Sequence, residues 1–555
     1  MKSNSFVSKF LNILSFSLLF LVISACGGGS SPDNEPPPSP PPPAPSFSIS
    51  EEKAARFLTQ ATFGANNQSI SNLADIGYDA WLEQQFSATT TLHYPLVTEY
   101  PDNDELNQKH RYEVWWRTAI TADDQLRQRV AFALSQIFVV SDKSALGQTP
   151  YGLANYYDIL VRNAFGNYRE LLEEVTLSPI MGIYLSMLGN EKPNEALNIR
   201  PDENYAREVM QLFSIGLVKL NLDGSLQLGD DNQPISTYDQ NVIKGFAHVF
   251  TGWHSADNPT WYQRRLNVIS PMKAFEDFHD TGEKQLLDDF IIPAGGTAQS
   301  DLDTALDNIF NHQNVAPFIS RQLIQRLVTS NPSPDYIERV ATIFNDNGNG
   351  TRGDLKAVIK AILTDDEAIS DSGLQDPTFG KLKEPLLRFT QLWRAFDASA
   401  ESGKYWFNFS YYLSGQAPLS APSVFNFYSP SYSPAGELSD ANLVAPEFQI
   451  LNETYITHTL NMLAISTYTG YQGIQLEPGN EDRILIDISA ELAMTNNPTE
   501  LVEHLNLLLL SGQMSENMKT ELITATEAIP ESETHLRVLN TLFLTLASPQ
   551  YAIQK

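Results

Sequence analysis

The feature that most constrains the fold is the helical spacing of apolar residues along most of the chain. Apolar side chains that recur every three or four residues form one face of a helix, and that face must be buried against other elements. Strand patterns are few and short, and the best of them is a hairpin at 218–235. The sequence therefore predicts an all-α fold, a large multi-helix domain with long loops and one small β-hairpin. The segment 123–140 shows the helical pattern in one stripe of Leu126, Val130, Leu134, Ile137 and Phe138.

Two local signals predict where helices begin and end. Gly216 follows an apolar-periodic segment at 203–215, and glycine is a common residue just beyond a helix C-terminus. Thr237 and Gln240 have the spacing of a capping box, which predicts a helix that runs on to Phe250.

The first 25 residues have the three parts of an export signal. Lys2 and Lys9 give a positive start, an apolar run covers residues 10–23, and small residues precede Cys26. Cys26 is the one cysteine of the 555 residues, so it has no disulfide partner within the chain. The pattern predicts a lipoprotein signal peptide at 1–25 and acyl chains on Cys26 that anchor the protein to the membrane. The alternative is an ordinary secretory signal followed by a chance cysteine.

The residues after the signal predict a spacer and then a globular region. Residues 26–46 are rich in glycine and proline, a composition typical of a tether. Gly27, rather than an aspartate, follows the cysteine, and by the sorting rule for bacterial lipoproteins this favours the outer membrane. The rest of the chain is long enough for two helical lobes, predicted at 47–366 and 367–555.

The predicted mature chain is strongly acidic. The full sequence has 36 lysines and arginines and 66 acidic residues, and the signal peptide contains Lys2 and Lys9 but no acid. Thirty-four basic residues against 66 acidic ones give the mature chain a net charge of −32. Nucleic acids and anionic lipid surfaces need clustered basic residues, so neither is an expected partner.

No standard catalytic signature occurs in the sequence. The nucleophile elbow, the H-E-x-x-H zinc motif, the P-loop and the dinucleotide fingerprint are all missing. A single cysteine at the cleavage junction also excludes cysteine catalysis. Candidate sites must therefore come from clusters of polar or aromatic residues.

The best polar cluster lies on one predicted helix. Asn204, Glu208 and Gln211 fall on the same helix face. Glu203 and Arg207 form an i,i+4 pair in the favourable order. The functional interpretation makes Glu208 a metal ligand or general base, and makes Arg207 the group that orients it or an anionic substrate. The alternative is a solvated face with one ion pair.

His279 and Asp280 form a second candidate, in a predicted loop. A neutral imidazole beside a carboxylate suits a divalent metal ion or a proton relay. Two adjacent residues cannot complete a metal site, so Glu208 is the expected third ligand. The alternative is a loop histidine whose neighbour caps a turn.

The segment 405–432 holds ten aromatic residues among several prolines. Aromatic faces on a rigid loop can stack on sugar rings, which makes Trp406, Tyr411 and Tyr428 candidate substrate-binding residues. Trp253, at a predicted helix end, is a fourth. The alternative is that these side chains cover the core beneath a long loop.

Six short segments share their order with those of a known family. They are Arg56–Gly64, Gly77–Leu82, Glu203–Gly216, Phe250–Trp253, Phe278–Asp280 and Lys383–Pro385.

Together these segments resemble DUF1800, a bacterial family of exported proteins that is a domain of unknown function. The resemblance implies export and a mostly helical fold, but no reaction. Relatives often accompany exported proteins that resemble sulfatases and alkaline phosphatases, which implies a partner of that class. In one departure, many relatives have Glu-Leu-His where this chain has Gln211-Leu212-Phe213. This departure weakens any ligand role at those positions.

Two hypotheses of different classes follow. The first is a binding or scaffold lipoprotein of the cell envelope that works with a co-exported partner. The second is a metal-assisted hydrolase of an extracellular polymer, such as a polysaccharide or its esters, with a divalent metal held by Glu208, His279 and Asp280 and with Arg207 on the substrate. They differ in whether these four side chains meet in one pocket.

We expect Cys26→Ser to abolish lipid attachment, because the thiol is the acceptor of the acyl chains. Cells grown with an alkyne-labelled fatty acid should give a labelled parent protein in the membrane fraction and an unlabelled variant. The control is Ser31→Ala in the tether, which should keep the label. Fatty-acid label on the Cys26→Ser protein would contradict the prediction.

Overall fold

The computed structural model of the protein describes residues 49–100, 107–263, 265–407 and 410–555. The predicted signal peptide, Cys26 and the tether lie outside these described residues. All of the described residues fall in one compact unit, Phe47–Lys555. The division into two helical lobes stays a prediction.

α-Helices dominate the described residues, and the predicted all-α fold class is confirmed. In chain order the helices are α1 (Glu51–Ala61), α2 (Asn67–Ser87), α3 (His93–Val97), α4 (Gln108–Thr121), α5 (Gln125–Ser135), α6 (Pro150–Asn163), α7 (Tyr168–Leu177), α8 (Pro179–Tyr184), α9 (Asn204–Gln211), α10 (Gln240–Val249), α11 (Ala298–Asn311), α12 (Val315–Leu327), α13 (Pro334–Asn345), α14 (Leu355–Thr364), α15 (Asp366–Ile369), α16 (Ser372–Gln375), α17 (Pro385–Ala395), α18 (Ser410–Ser414), α19 (Glu437–Asp440), α20 (Glu453–Tyr468), α21 (Ser489–Ala493), α22 (Pro498–Leu510), α23 (Glu516–Glu527), α24 (Thr534–Leu546) and α25 (Pro549–Ala552). Short 3₁₀ turns lie at Ala145–Gln148, Glu195–Leu197, Glu276–Phe278, Leu287–Asp289 and Pro446–Ile450.

The strands of the described residues are two residues long and pair antiparallel. The pairs are β1 (Trp253–His254) with β2 (Lys273–Ala274), β3 (Lys284–Gln285) with β4 (Ile291–Ile292), and β5 (Lys381–Leu382) with β6 (Ile553–Gln554).

The predicted hairpin at 218–235 appears as isolated antiparallel bridges rather than as strands. The bridges join Val218 to Ser236, Leu220 to Leu226 and Leu228 to Pro234. We call residues 217–236 the bridged segment.

Both predicted helix ends are displaced, and the predicted capping box of Thr237 and Gln240 does not form, because the Thr237 hydroxyl donates to the carbonyl of Gly216. α9 ends at Gln211 instead of residue 215, because the amides of Ile215 and Gly216 both donate to the carbonyl of Met210 and close a turn. Gly216 has φ of +73°, a left-handed conformation that favours glycine. At α10 the cap is Asp239, whose carboxylate accepts from the second and third amides beyond it.

Helices distant in sequence share one apolar core. Trp116 of α4 is fully buried, and its ring centroid lies 5.3 Å from that of Trp393 in α17 and 5.2 Å from that of Phe407. Edge-to-face contacts of this kind add to the burial of the rings themselves. No helix of the described residues is both long and apolar enough to cross a membrane.

Candidate ligand-binding cleft

Glu208 lies on α9 with its side chain buried. Its Oε2 atom has no hydrogen-bond partner among the described residues, and burial raises the pKa of the carboxyl while nearby Arg207 acts in the opposite direction. Tyr184 and Tyr238 lie close enough to feel its charge. The pKa of each phenol is raised to about 12, mainly by burial and to a smaller extent by the negative charge of Glu208.

Arg207 forms its ion pair with a different carboxylate. Its guanidinium pairs with Glu203 at 3.1 Å, the i,i+4 ion pair that the sequence predicted. Both side chains are partly exposed, so the pair contributes little to stability.

His279 is completely buried, and both of its ring nitrogens are engaged. Nε2 lies 3.1 Å from a carboxylate oxygen of Asp301, and Nδ1 lies 3.0 Å from the carbonyl oxygen of Thr251. Lys284 donates to the same oxygen of Asp301 at 2.7 Å. The imidazole and the ammonium therefore share one buried carboxylate, which ties the loop after β2 to α11.

Asp280 points to a different partner, a histidine that the sequence reasoning did not single out. Its carboxylate accepts a hydrogen bond from His248 Nδ1 and another from the amide of Gly282. The bond to His248 is the main cause that lowers the pKa of Asp280 to about 2.

The structure does not bring the three predicted metal ligands together. Within the described ranges there is no group of three or more histidine, cysteine, aspartate or glutamate side chains that could hold a metal ion. Glu208, His279 and Asp280 have separate surroundings, and both ring nitrogens of His279 are already engaged by Thr251 and Asp301. A catalytic role for any of them stays a prediction.

The four aromatic candidates occupy four different places. Trp253 is buried in the core, and Trp406 is half-buried against the rings of Tyr100 and His110. The half-buried ring of Tyr411 lies 4.3 Å from the ammonium group of Lys143.

Tyr428, the fourth, lines a cleft between several elements. It is a cleft of about 770 Å³ bounded by the end of α9, the bridged segment, α12 and the loop 422–431. Gln211, from the predicted polar face of α9, also lines it. Most of the lining is apolar, and its two charged residues are both arginines, Arg321 and Arg326. The charged residues of the lining are thus all positive, although the chain as a whole has a net charge of −30.

A buried polar floor lies beneath the cleft. Lys381 and Glu447 form an ion pair of 2.9 Å with both side chains inaccessible to solvent, and Lys381 also donates to the carbonyl of Arg326 at 2.9 Å. Arg326 itself donates to the carbonyl of Gln136 at 3.0 Å. Burial lowers the pKa of Arg326 and raises that of Glu447, so each charge depends on its neighbours.

Glu384 completes this floor. Its Oε2 accepts from Gln136 at 2.7 Å and from Gln416, and Gln136 in turn accepts from the Tyr428 hydroxyl at 2.8 Å. Arg129 donates to the Arg326 carbonyl at 2.7 Å and lies within the field of Glu384.

Several polar atoms of the floor and walls have no hydrogen-bond partner among the described residues. Buried polar groups are normally paired, so each such atom lacks a partner that a water or a ligand could supply. They are Arg129 Nε and Nη1, Arg326 Nε, Glu384 Oε1, Glu447 Oε2, Gln322 Nε2, Gln325 Oε1 and Asn426 Nδ2.

Arg321 stands apart from the other cations. It is half-buried in the cleft wall on α12, and its side chain makes no hydrogen bond or ion pair with any described residue. Burial is the single cause that lowers its pKa, without an acidic neighbour to oppose it. Arg321 thus presents an uncompensated positive charge to an apolar cleft.

Sequence reasoning missed most of these residues because they are far apart along the chain, from Arg129 to Glu447. No spacing rule connects them. The one available signal was the segment Lys383–Pro385, which carried part of the family resemblance and contains Glu384.

A family model described as a protein of unknown function (DUF1800) matches residues 56–553 of the chain. The match spans nearly the whole chain, so the protein belongs to this family and the predicted resemblance is confirmed. Comparisons with curated proteins and with solved structures give no match.

We expect Asp301→Ala to lower the free energy of unfolding by about 3–5 kcal/mol, because it leaves His279 and Lys284 buried without their shared carboxylate. Chemical denaturation measures the change. Asp307→Ala on the same helix is the control, because Asp307 is mostly exposed and its ion pair should contribute less than about 1 kcal/mol. Equal losses in the two variants would contradict this assignment.

Proposed function

Starting from a family without an assigned reaction, we propose that this protein is an exported envelope lipoprotein that acts by binding. Its anchor is Cys26, its location is the outer membrane, and it works with a co-exported partner of the sulfatase-like or alkaline-phosphatase-like class. Its ligand carries an anionic group and occupies the cleft. The observation that carries this proposal is Arg321, a half-buried guanidinium with no counterion among the described residues.

An unpaired guanidinium in an apolar wall is unfavourable for the empty protein. Partial removal of a charge from water costs free energy, which a partner of opposite charge can offset. Carboxylate, sulfate and phosphate groups match the planar donors of arginine and form strong, charge-assisted hydrogen bonds with it. The other charged residue of the lining is Arg326, so no acid of the cleft competes with an anionic ligand.

The floor supports the same proposal. Arg129, Arg326 and Lys381 are buried with only two carboxylates, Glu384 and Glu447, in the same network. The resulting excess of positive charge lies below the cleft, where the dielectric is low and its effect on an anion is strong. The volume of about 770 Å³ is within the range of small-molecule pockets.

The second hypothesis, a metal-assisted hydrolase, lacks a comparable observation. Its predicted ligands do not form one group within the described part of the chain. Glu208 remains a buried carboxyl of raised pKa on the same helix as the cleft residue Gln211. Nothing beside Glu208 in the described residues supplies the remaining ligands.

We expect the mature lipoprotein in detergent to bind naphthalene-2-sulfonate at least about tenfold more tightly than the neutral naphthalene-2-sulfonamide. The two probes have the same ring, so calorimetric titration against matched detergent blanks isolates the contribution of the charge. Arg321→Gln should remove this preference, because a charge-assisted hydrogen bond contributes about 1.5–3 kcal/mol.

Arg162→Gln is the matched control. Arg162 is a partly exposed arginine paired with Glu174, and it does not line the cleft, so its loss should leave the preference intact. A parent protein that binds both probes equally, or an Arg321→Gln variant that keeps the preference, would refute the proposal.

A further inference from the structure

An exposed apolar rim continues from the mouth of the cleft. Its four large side chains are between 48% and 57% exposed, and three of them, Leu217, Leu226 and Phe425, also line the cleft. Exposed apolar groups that cluster beside a cavity are typical of an interaction surface. The rim consists of Leu217, Leu226, Leu228 and Phe425.

The cleft and the rim together form a binding surface that is too long for a compact small molecule to cover. Three of its residues belong to the bridged segment, and Leu226 and Leu228 stand two residues apart, so they fall on the same side of an extended chain. An occupant that covers both the cleft and the rim must be elongated. It must also be largely apolar, since the rim offers no charge.

Three unpaired atoms of side-chain amides decide between two kinds of elongated anion. Gln322 Nε2, Gln325 Oε1 and Asn426 Nδ2 are buried in the cleft walls without partners among the described residues. A fatty acid has a carboxylate and a hydrocarbon chain, so it would leave these donors and acceptors unpaired, each at a free-energy cost of about 1–3 kcal/mol. A peptide has a carbonyl and an amide at every residue and can pair with all three.

The charge of the protein limits the sequence of such a peptide. A surface of net charge −30 repels acidic side chains outside the cleft. A free C-terminus provides one carboxylate without any acidic side chain, directly beside the apolar residues that precede it. Capture of a C-terminal carboxylate is a known mode of peptide recognition.

We propose that the cleft binds the apolar C-terminal segment of a partner protein. The terminal carboxylate binds Arg321, the backbone of the last residues pairs with Gln322, Gln325 and Asn426, and the preceding apolar side chains cover the rim. This inference rests on the proposed function, since it names the anion that the cleft takes. The segment Ile553–Gln554 is not the occupant, because it forms β6 and pairs with β5.

The test is a selection of random octapeptides, displayed with free C-termini, on the mature lipoprotein in nanodiscs. We expect enriched peptides to end in apolar residues. Fluorescence polarisation of the labelled peptides should then show at least about tenfold weaker binding when the C-terminus is amidated. Arg321→Gln should bind the acid and the amide equally, whereas Arg162→Gln should keep the difference.

A rim variant separates the two parts of the surface. Leu228→Ser changes a side chain that is 52% exposed, so the fold should tolerate it, and it should weaken peptide binding while the preference for the free acid remains. Failure to enrich any peptide, or equal binding of acid and amide by the parent, would overturn the inference.

The outcomes also separate this inference from the proposed function. One outcome would be a sulfonate preference that holds, no enriched peptide, and dodecanoate binding that depends on Arg321. In that case the cleft takes a lipid anion, and only the peptide inference fails. If neither the sulfonate nor any peptide depends on Arg321, both proposals fail.

Discussion

The buried ion pair between Lys381 and Glu447 is the interaction on which the cleft depends. Both side chains are removed from solvent, and Lys381 also bonds the carbonyl of Arg326. Unpaired charges at these positions would be strongly unfavourable. The ion pair and the hydrogen bond therefore hold strand β5, the 3₁₀ turn at Pro446–Ile450 and the end of α12 in fixed positions relative to one another. Glu384 accepts a hydrogen bond from Gln136, the residue after α5, and Gln136 accepts one from Tyr428 in the opposite wall. These two bonds hold the end of α5 and the loop 422–431 to the floor. The polar floor thereby fixes the shape of an otherwise apolar cavity.

Against this background Arg321 differs from every other charge of the site. The floor residues are held by one another, whereas Arg321 has no partner among the described residues. Proteins commonly retain destabilising groups where binding requires them, at some loss of stability. Arg321 and the excess positive charge of the floor both attract an anion, so the arrangement of these residues favours anion binding in the cleft. The apolar rim extends that recognition to an elongated partner.

The sequence was informative wherever the deciding interaction is local. Helix spacing, the Glu203–Arg207 pair and the glycine after α9 all depend on residues within a few positions of one another. α9 proved shorter than its apolar pattern because two amides share the carbonyl of Met210, a turn that periodicity does not reveal. The partners of His279 and Asp280 come from α11 and α10, and the floor joins residues from Arg129 to Glu447. Such contacts are set by tertiary packing, and no pattern of spacing in a single sequence contains them.

The most direct test of the central claim is the stability of the empty protein after Arg321→Met, compared with Lys381→Met, by chemical denaturation. If Arg321 is kept for a ligand, its replacement should leave the free energy of unfolding within about 1 kcal/mol of the parent or raise it, since a half-buried charge without a partner is removed. Lys381→Met should lower that free energy by about 3–5 kcal/mol, because Glu447 loses its partner. A comparable loss for Arg321→Met would show that this arginine serves the fold, and would contradict its assignment to ligand binding.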